Sequence, residues 1–217
     1  MNAEKALSGR PRGTLPLARE GWPFIFSLLA VLGVTLWLCW WIAAILTAIL
    51  TAFTLNFFRD PERNTPARDN AYLAPADGRV IRAEHSDTGS RVDIFMNVFN
   101  VHVNRAPMSG RLTHMQYFPG RFINASFDKA SEHNERNRME MKTDAGQSIS
   151  MTQIAGLLAR RIVSYVAVGD HVSAGQRVGM IRFGSRVDCE IPVGFELCVE
   201  LGQQVKAGET ILAERNA

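Results

Sequence analysis

The 217-residue sequence lacks several features that define common classes of protein. Of its three cysteines, Cys39 lies in an apolar run, while Cys189 and Cys198 have no spacing typical of metal ligands. We therefore expect no disulfide framework and no metal site, with reduced thiols in the cytoplasm. The formal net charge of +3 is small, and no basic stripe alternates with aromatic residues, which argues against a nucleic-acid partner. The sequence also has no phosphate-binding loop and no dinucleotide fingerprint.

Charge is absent from Gly21 to Phe58, a run rich in Leu, Ile, Ala, Val and Trp. The run exceeds the roughly 20 residues of one transmembrane helix, so we expect a strong tilt or a break near Gly33 or the Cys39–Trp41 cluster. Arginine and lysine flank the run on both sides, which suits anionic lipid headgroups and favours both ends in the cytoplasm. The flanking basic residues are Lys5, Arg10, Arg12, Arg19, Arg59, Arg63 and Arg68.

The charge pattern divides the chain into three parts. We predict a polar tail over residues 1–20, a membrane-associated helical segment over 21–58 and a β-rich domain over 59–217. The membrane contact is expected to be peripheral, monotopic or a hairpin insertion at the cytoplasmic face of the inner membrane.

Beyond Pro61 and Pro66, short alternating apolar patterns separated by Gly and Pro predict an all-β domain. The polar stretch Asp128–Arg138 has no apolar periodicity and is predicted to be a loop. An internal repeat relates Val168–Gln176 to Leu201–Glu209, with the shared pattern apolar-Gly-polar-x-Val-x-Ala-Gly-polar. Two such halves resemble the flattened barrel-sandwich of biotinyl and lipoyl carrier domains. We therefore predict a mainly β, barrel-sandwich-like domain after the N-terminal hydrophobic segment.

Carrier domains place a modified lysine on the hairpin between their two halves, and here that place is held by Gly184-Ser185-Arg186. We expect Ser185 on an exposed turn, where the flexible Gly184 permits unusual backbone angles. On such a turn, the serine hydroxyl can attack the Gly184 carbonyl in an N-to-O acyl shift. Elimination from the resulting ester, followed by loss of ammonia, would leave a pyruvoyl group.

The acyl shift needs a base, and a histidine oriented by a carboxylate is the usual solution. The candidates are His102, in the segment Asn100–Pro107, and Asp77, in the segment Pro75–Val80. Each residue by itself is more often structural, since a lone strand histidine and a turn aspartate are both common.

Taken together, these motifs resemble the phosphatidylserine decarboxylase family in its short bacterial and archaeal proenzyme form. The resemblance covers nearly the whole chain and depends on the order and spacing of many motifs. After the hydrophobic segment these are Phe57–Pro61, Pro75–Gly78, Val101–Pro107, Tyr117–Phe122, Asn134–Asn137 and Phe183–Ser185.

The resemblance implies self-cleavage between Gly184 and Ser185, giving a β chain of residues 1–184 and an α chain of residues 185–217. The two chains form a heterodimer, with further oligomerisation left open, and Ser185 becomes a covalent pyruvoyl cofactor. This group, an electron sink like pyridoxal phosphate, would decarboxylate the membrane lipid phosphatidylserine to phosphatidylethanolamine.

The family's self-processing set maps onto Asp77, His102 and Ser185. Longer members have two histidines on the strand, and here Arg105 occupies the place of the second. We therefore expect His102 to serve both maturation and decarboxylation. Asn104, Arg105 and Arg136 are candidates for binding the phosphate or carboxylate of the headgroup.

Three other functions are compatible with parts of the pattern. A periplasmic membrane-fusion adaptor also joins a hydrophobic anchor to barrel-sandwich halves, but it normally has a coiled-coil hairpin, and no heptad stretch exists here. A carrier domain would need a hairpin lysine. A related proenzyme could act on another amino-acid headgroup or on a soluble substrate, although the membrane segment argues against a soluble one.

Overall fold

The structure, a computed structural model, describes residues 16–120, 134–156, 161–182 and 184–215. Within these residues the chain forms two compact units, and the boundary in sequence lies between Glu62 and Arg63. The first unit is helical and contains the apolar run. The second contains all the strands of the described residues.

The apolar run forms two helices, α1 (Trp22–Trp37) and α2 (Trp41–Phe57). The chain breaks at the cysteine–tryptophan cluster, where Cys39 takes a left-handed φ of 58°, and not at Gly33, which lies inside α1. Because three residues separate the helices and the helices pack against each other, the run is a helical hairpin.

The two ends of the hairpin are held together by backbone hydrogen bonds. The amide of Ala18, just before a 3-10 turn at Arg19–Gly21, donates to the carbonyl of Phe58 at 2.7 Å. The amide of Asp60 donates to the carbonyl of Pro16 at the same distance. Both ends of the hairpin therefore emerge on the same side of this unit.

The surface of the hairpin is apolar and indicates that the unit associates with a membrane. Residues Arg19–Trp37 are long and apolar enough to cross a bilayer, while Trp41–Phe57 is a shorter apolar helix. Threonine hydroxyls in α2 donate to carbonyls four residues earlier, so these polar groups remain satisfied in apolar surroundings. Large exposed apolar side chains include Phe26, Trp37, Trp40, Trp41, Ile42, Ile45, Leu46 and Ile49.

The second unit consists of short β-strands, which confirms the prediction of a mainly β domain. In chain order the strands are β1 Ala71–Leu73, β2 Gly78–Ser86, β3 Gly89–Met96, β4 Val103–Arg105, β5 Gly110–Phe118, β6 Arg136–Thr143, β7 Ser148–Ala155, β8 Ile162–Ser164, β9 His171–Val172, β10 Arg177–Ile181, β11 Ser185–Ile191, β12 Phe195–Leu197, β13 Gln204–Val205 and β14 Ile211–Arg215.

The described strands form three antiparallel sheets. The largest has the order β13-β2-β3-β11-β7-β6-β5-β9, and the two smaller sheets have the orders β4-β10-β8 and β1-β14-β12. None of these sheets closes on itself among the described strands. Because β11 lies fourth from last in the chain order yet near the centre of the largest sheet, the C-terminal region is built into the core of the fold.

The two copies of the internal repeat form matching segments, here called the repeat turns. Val168–Gln176 contains β9 and precedes β10, and Leu201–Glu209 contains β13 and precedes β14. Equivalent glycines have nearly equal left-handed φ angles: 95° at Gly169 and 90° at Gly202, then 75° at Gly175 and 73° at Gly208. These angles favour glycine, so the shared Gly positions of the repeat have a backbone cause.

Each repeat turn packs on one of two further matching segments that the sequence analysis did not detect. Ala74–Val80 reads Ala-Pro-Ala-Asp-Gly-Arg-Val, and Ala106–Leu112 reads Ala-Pro-Met-Ser-Gly-Arg-Leu. The second glycine of each repeat donates its amide hydrogen to the first alanine of its segment, at 2.8 Å in both halves. The domain therefore has an approximate internal two-fold relation.

Side chains alternate between the two faces of the largest sheet, as the strand period of two requires. On one face Ile94 and Val187 belong to the hydrophobic core, and Ser185, two positions before Val187, points to the same side. The other face carries Arg186 and Asp188. The fold thus places the predicted nucleophile inside the domain.

The prediction of a loop over Asp128–Arg138 is wrong in its last part. Residues 128–133 lie outside the described residues, but Arg136 begins β6, which pairs with both β5 and β7. Asn137, Met139 and Met141 are buried in alternation with less buried neighbours. The polar composition of the stretch concealed this period of two.

Candidate active site

The Gly184–Ser185 bond lies where the chain enters β11. Ser185 pairs with Met96 on β3 and with Ala155 on β7, and its side chain is fully buried. Its hydroxyl donates to the Met96 sulfur at 3.3 Å. The expectation of an exposed serine is therefore wrong, because Ser185 is the first residue of a long central strand and not part of a surface hairpin.

Gly184 supplies the bend that leads into this strand. Its φ of 63° lies in the left-handed region, which a side chain would disfavour by about 1–2 kcal/mol. The bond between Gly184 and Ser185 thus joins a residue with an unusual backbone angle to a residue fixed on both sides by a sheet. This arrangement confines the peptide bond that an acyl shift would break.

His102 lies one residue before β4, and its carbonyl accepts a hydrogen bond from Ile181 at the end of β10, at 3.2 Å. Its ring Nδ1 is 2.9 Å from the carbonyl oxygen of Asn100. Because a carbonyl can only accept, Nδ1 carries the hydrogen, and the lone pair of the neutral ring is on the buried Nε2. The local geometry therefore leaves Nε2 as the proton-accepting atom of the neutral His102 ring, and the His102 backbone is bonded to the segment that leads to Ser185.

The carboxylate of Asp77 accepts two hydrogen bonds from Nη2 of Arg63, at 2.8 and 3.0 Å, and one from the amide of Ala207, at 2.8 Å. In the other half of the domain, the hydroxyl of Ser109 accepts from the amide of Ala174 at 2.9 Å. The internal symmetry thus gives both positions the same turn-binding contact. Only the Asp77 half adds a charge, which distinguishes this half chemically.

Arg63 is a residue whose role the sequence analysis assigned wrongly. It was grouped with the arginines that contact lipid headgroups, but only 7% of its side chain is exposed, and it lies between Asp77 and Glu209. Arg68, in the same group, pairs with Glu214. The acidic partners lie 14 to 146 residues away in sequence, so no local pattern could indicate these pairs.

The loop that carries Asp77 is bonded through its backbone to β4. The carbonyl of Pro75 accepts from the amide of Arg105 at 2.9 Å and from Nδ2 of Asn104 at 3.4 Å. The Pro75–Asp77 loop therefore packs on β4, directly after His102. The carboxylate itself contacts Arg63 and Ala207, so an additional movement is needed before it can contact His102.

Asn104 is the candidate headgroup residue that lies beside Ser185. Its Nδ2 is 3.8 Å from the same Met96 sulfur that accepts from the Ser185 hydroxyl. Its Oδ1 accepts from Nε2 of Gln153 at 2.9 Å, and Oε1 of Gln153 accepts from Nδ2 of Asn137 at 3.2 Å. Three buried amides thus form a continuous chain that ends near Ser185.

The other two candidate headgroup residues have different surroundings. Nη1 of Arg105 donates to the carbonyl of Gly175 at 2.8 Å, and its side chain packs against Gly208, between the two repeat turns. Arg136 lies over the ring of Phe118 at 4.3 Å. Because Arg136 shares a row of the sheet with Arg186, it lies on the face opposite to Ser185.

An ion-pair network lies directly behind Ser185 on that opposite face. The fully buried Arg186 donates to Asp188 at 2.5 and 2.9 Å, and Arg91 bridges Asp93 and Asp188. Burial raises the pKa of the Asp188 carboxyl, as does the nearby Asp93 charge, while Arg186 and Arg91 act in the opposite direction. The network anchors β11 immediately after the nucleophile.

The described residues contain no group of three or more His, Cys, Asp or Glu side chains suited to a metal ion. The candidate site consists of a buried serine, a histidine whose Nδ1 is bonded to a backbone carbonyl, a carboxylate paired with an arginine and a chain of amides.

Over most of its length, the chain is similar to known proteins that share one name. A family model described as phosphatidylserine decarboxylase matches residues 50–213. A phosphatidylserine decarboxylase proenzyme of Nitrosomonas europaea is 47% identical over 204 residues, covering 91% of this chain and 94% of the relative. A protein of the same name from Burkholderia multivorans is 46% identical over 213 residues, covering 91% and 95%.

Proposed function

The chain belongs to the phosphatidylserine decarboxylase family, and we propose that it cleaves itself between Gly184 and Ser185 and then decarboxylates phosphatidylserine to phosphatidylethanolamine. The single observation that supports the cleavage site best is the position of Ser185, which is buried, begins the central β11 and follows a left-handed glycine. The family membership supports the substrate and the reaction.

Self-cleavage begins when Oγ of Ser185 attacks the carbonyl carbon of Gly184. The C–N bond breaks, the nitrogen takes a proton, and the acyl group is now held as an ester. Removal of the Cα proton of Ser185 then breaks the Cβ–O bond and releases Gly184 as a carboxylate. Water then hydrolyses the imine form of the elimination product and releases its nitrogen as ammonia. This leaves a pyruvoyl group at the start of the chain 185–217.

His102 is the base that we assign to both proton transfers. Its Nδ1 is held by Asn100, so Nε2 is able to accept a proton from the Ser185 hydroxyl and then from Cα. Asp77 is assigned the role of orienting or stabilising the resulting imidazolium. For this role, the Pro75–Asp77 loop must move towards His102 as a folded unit, with the carboxylate still paired with Arg63.

Cleavage does not remove the contacts that hold the two products together. β11 keeps its ladders with β3 and β7, and the pairs β13–β2 and β14–β1 also join residues 185–217 to residues 1–184. In the shorter product, Arg186 remains paired with Asp93 of the longer one, and Asp188 remains paired with Arg91. The mature protein is therefore a heterodimer of its own two fragments.

The surroundings of Ser185 fit a small uncharged group, because Ser185 has no exposed surface and its hydroxyl donates to the Met96 thioether, which also lies 3.8 Å from Nδ2 of Asn104. Once formed, the pyruvoyl group supplies the electron sink for loss of CO₂ from the serine headgroup. We assign Nδ2 of Asn104 to binding the carboxylate or phosphate of that headgroup. We assign His102, protonated at Nε2, to returning a proton to the product.

The helical hairpin gives this enzyme access to a lipid substrate. Its two ends lie together and are flanked by Arg19 and Arg59, and this distribution of positive charge supports a cytoplasmic location of both ends. We assign the protein to the inner membrane, with its β-rich domain at the cytoplasmic face.

The proposed function is tested on the full chain purified in detergent. Its intact mass should show two fragments, residues 1–184 and residues 185–217, with the smaller lighter than a serine-initiated chain by one ammonia. Vesicles of phosphatidylserine labelled at the headgroup carboxylate should release labelled CO₂ and form phosphatidylethanolamine. A single full-length species without CO₂ release would reject the proposal and leave the membrane-adaptor function.

Replacement of Arg63 should slow self-cleavage. Arg63→Ala leaves the buried Asp77 carboxylate without its charged partner, at a cost of about 3–5 kcal/mol in folding free energy, and releases the loop that packs on β4. We expect precursor to accumulate in a timed cell-free synthesis, and guanidinium at sub-denaturing concentration to restore part of the rate.

The matched control for Arg63 is Arg68→Ala, which removes an exposed pair with Glu214 and should cost about 0–1 kcal/mol with normal maturation. Equal maturation of the two variants would show that Arg63 has no part in placing Asp77.

A further inference from the structure

The chain of buried amides beside Ser185 has a definite direction. Asn104 and Gln153 have no exposed surface, and Asn137 is 4% exposed. Each amide has one accepting oxygen and one donating nitrogen, so the bond made by one end fixes where the other end points. Asn137 donates to Oε1 of Gln153, which leaves Nε2 of Gln153 to donate to Oδ1 of Asn104.

The last donor in this chain is Nδ2 of Asn104, and its own acceptors are poor. The carbonyl of Pro75 is at the long distance of 3.4 Å, and the Met96 sulfur, a weak acceptor, is at 3.8 Å. The same sulfur receives the hydroxyl hydrogen of Ser185 at 3.3 Å. A buried amide donor with weak partners therefore lies next to the reacting group of the precursor.

The acyl shift places negative charge on the carbonyl oxygen of Gly184 when Ser185 attacks. Such charge in a buried site requires a preorganised donor, and removal of one such donor typically costs about 10²–10³-fold in rate. We propose that Asn104 supplies this donor during self-cleavage and that Gln153 is the positioning residue that keeps Nδ2 of Asn104 turned towards Ser185. Asn137 fixes Gln153 in the same way.

This inference rests on the proposed self-cleavage at Gly184–Ser185. The proposed positioning role differs from a purely structural role, in which the three buried amides only supply one another with hydrogen-bond partners inside the core. The two roles are separable because only the positioning role depends on which end of residue 153 donates.

Gln153→Glu replaces the donating amide nitrogen of residue 153 with a carboxyl oxygen and keeps nearly the same side-chain shape. An ionised carboxylate accepts from Asn137 but cannot donate to Oδ1 of Asn104, so Asn104 turns its Nδ2 towards the carboxylate and away from Ser185. The neutral carboxylic acid donates as the glutamine does. The described side chains bonded to Gln153 are Asn137 on β6 and Asn104 on β4, and its amide also lies against Gly179 on β10, so no titratable group among these competes with the new carboxyl.

The experiment compares the precursor of Gln153→Glu with that of Gln153→Leu, which has no titratable group at this position. Both are purified from alkaline buffer as full chains in detergent and shifted to a series of lower pH values. The ratio of the Glu to the Leu cleavage rate should rise about 10²-fold as the pH falls, because the protonated carboxyl orients Asn104 again. Any protonation of His102 affects both variants and cancels in the ratio.

Several results would overturn the inference. One is a ratio of the Gln153→Glu to the Gln153→Leu cleavage rate that does not change with pH. Another is complete maturation of both variants at the wild-type rate. Gln116→Glu, an exposed change on β5, is the charge control and should mature like the wild type. If Gln153→Glu does not fold, as judged by circular dichroism, Asn104→Ala takes its place: folded and slow protein supports the inference, and folded protein at the wild-type rate rejects it. Absence of fragments from the wild type would reject the proposed function itself.

Discussion

The Ser185→Ala chain is expected to remain one species of 217 residues and to form no phosphatidylethanolamine. The methyl group of alanine cannot attack the Gly184 carbonyl, so neither the ester nor the pyruvoyl group can form. The fold should be retained, because Ser185 makes only a weak hydrogen bond to the Met96 sulfur, and alanine fits the same space. Intact mass, circular dichroism and a labelled-CO₂ assay measure the three expectations separately.

A matched control is Ser150→Ala. Ser150 is a buried serine on β7, but its hydroxyl donates to Glu190 on the charged face of the sheet. This variant should mature and decarboxylate like the wild type. Fragments of 1–184 and 185–217 from the Ser185→Ala chain would contradict the assignment of Ser185 as the nucleophile.

Ser185→Cys tests the acyl shift itself. The thiol can attack Gly184 and form a thioester, which hydroxylamine would cleave to a hydroxamate on Gly184 and a fragment that begins with cysteine. We expect this trapped fragment in hydroxylamine-treated protein, and none from Ser185→Ala under the same conditions. The pair of variants thus separates attack by residue 185 from cleavage by a contaminating protease.

The sequence predicted the parts of the fold that depend on local patterns. Alternating apolar patterns predicted an all-β domain, and the shared glycines of the repeat related two segments whose glycines have nearly equal left-handed φ angles in the structure. The uncharged run predicted helices, and the cysteine–tryptophan cluster was one of two expected break points. Each of these features is set by residues a few positions apart.

Features that depend on distant residues were missed or assigned wrongly. The burial of Ser185 results from its place between β3 and β7, whose partner residues are 89 and 30 positions away. The second pair of matching segments has only short identities, and the polar start of β6 looked like a loop. Arg63 looked like a lipid-facing arginine until the fold placed it against Asp77.

The candidate site shows the same division. Gly184, Ser185 and His102 carry recognisable motifs, whereas Gln153 lies in a strand without any feature that distinguishes it from a surface glutamine. Its importance comes from the bonds to Asn104 and Asn137, 49 and 16 residues away. A sequence alone could suggest such an amide chain only after the register of three strands is known.

Replacement of His102 is expected to have the second-largest effect. His102→Ala removes the proposed base, and loss of such a group typically lowers a rate by about 10²–10⁴-fold, so the precursor should accumulate. Imidazole added to the purified precursor should restore part of the cleavage, because the missing ring leaves space beside Asn100, whose carbonyl fixes the tautomer. His114→Ala, an exposed histidine on β5, is the control and should mature normally.

The same variant decides whether one histidine serves both reactions. The His102→Ala precursor is first allowed to mature with imidazole, and the imidazole is then removed. The pyruvoyl content is titrated with phenylhydrazine, and the rate of product formation is expressed per pyruvoyl group. If His102 also protonates the product, turnover per pyruvoyl group should fall by about 10²-fold or more and recover when imidazole returns. Normal turnover per pyruvoyl group would confine His102 to maturation. Because Arg105 is bonded to Gly175 and packs between the repeat turns, it is poorly placed to substitute as an acid, and the second proton donor would then have to come from another group near Ser185.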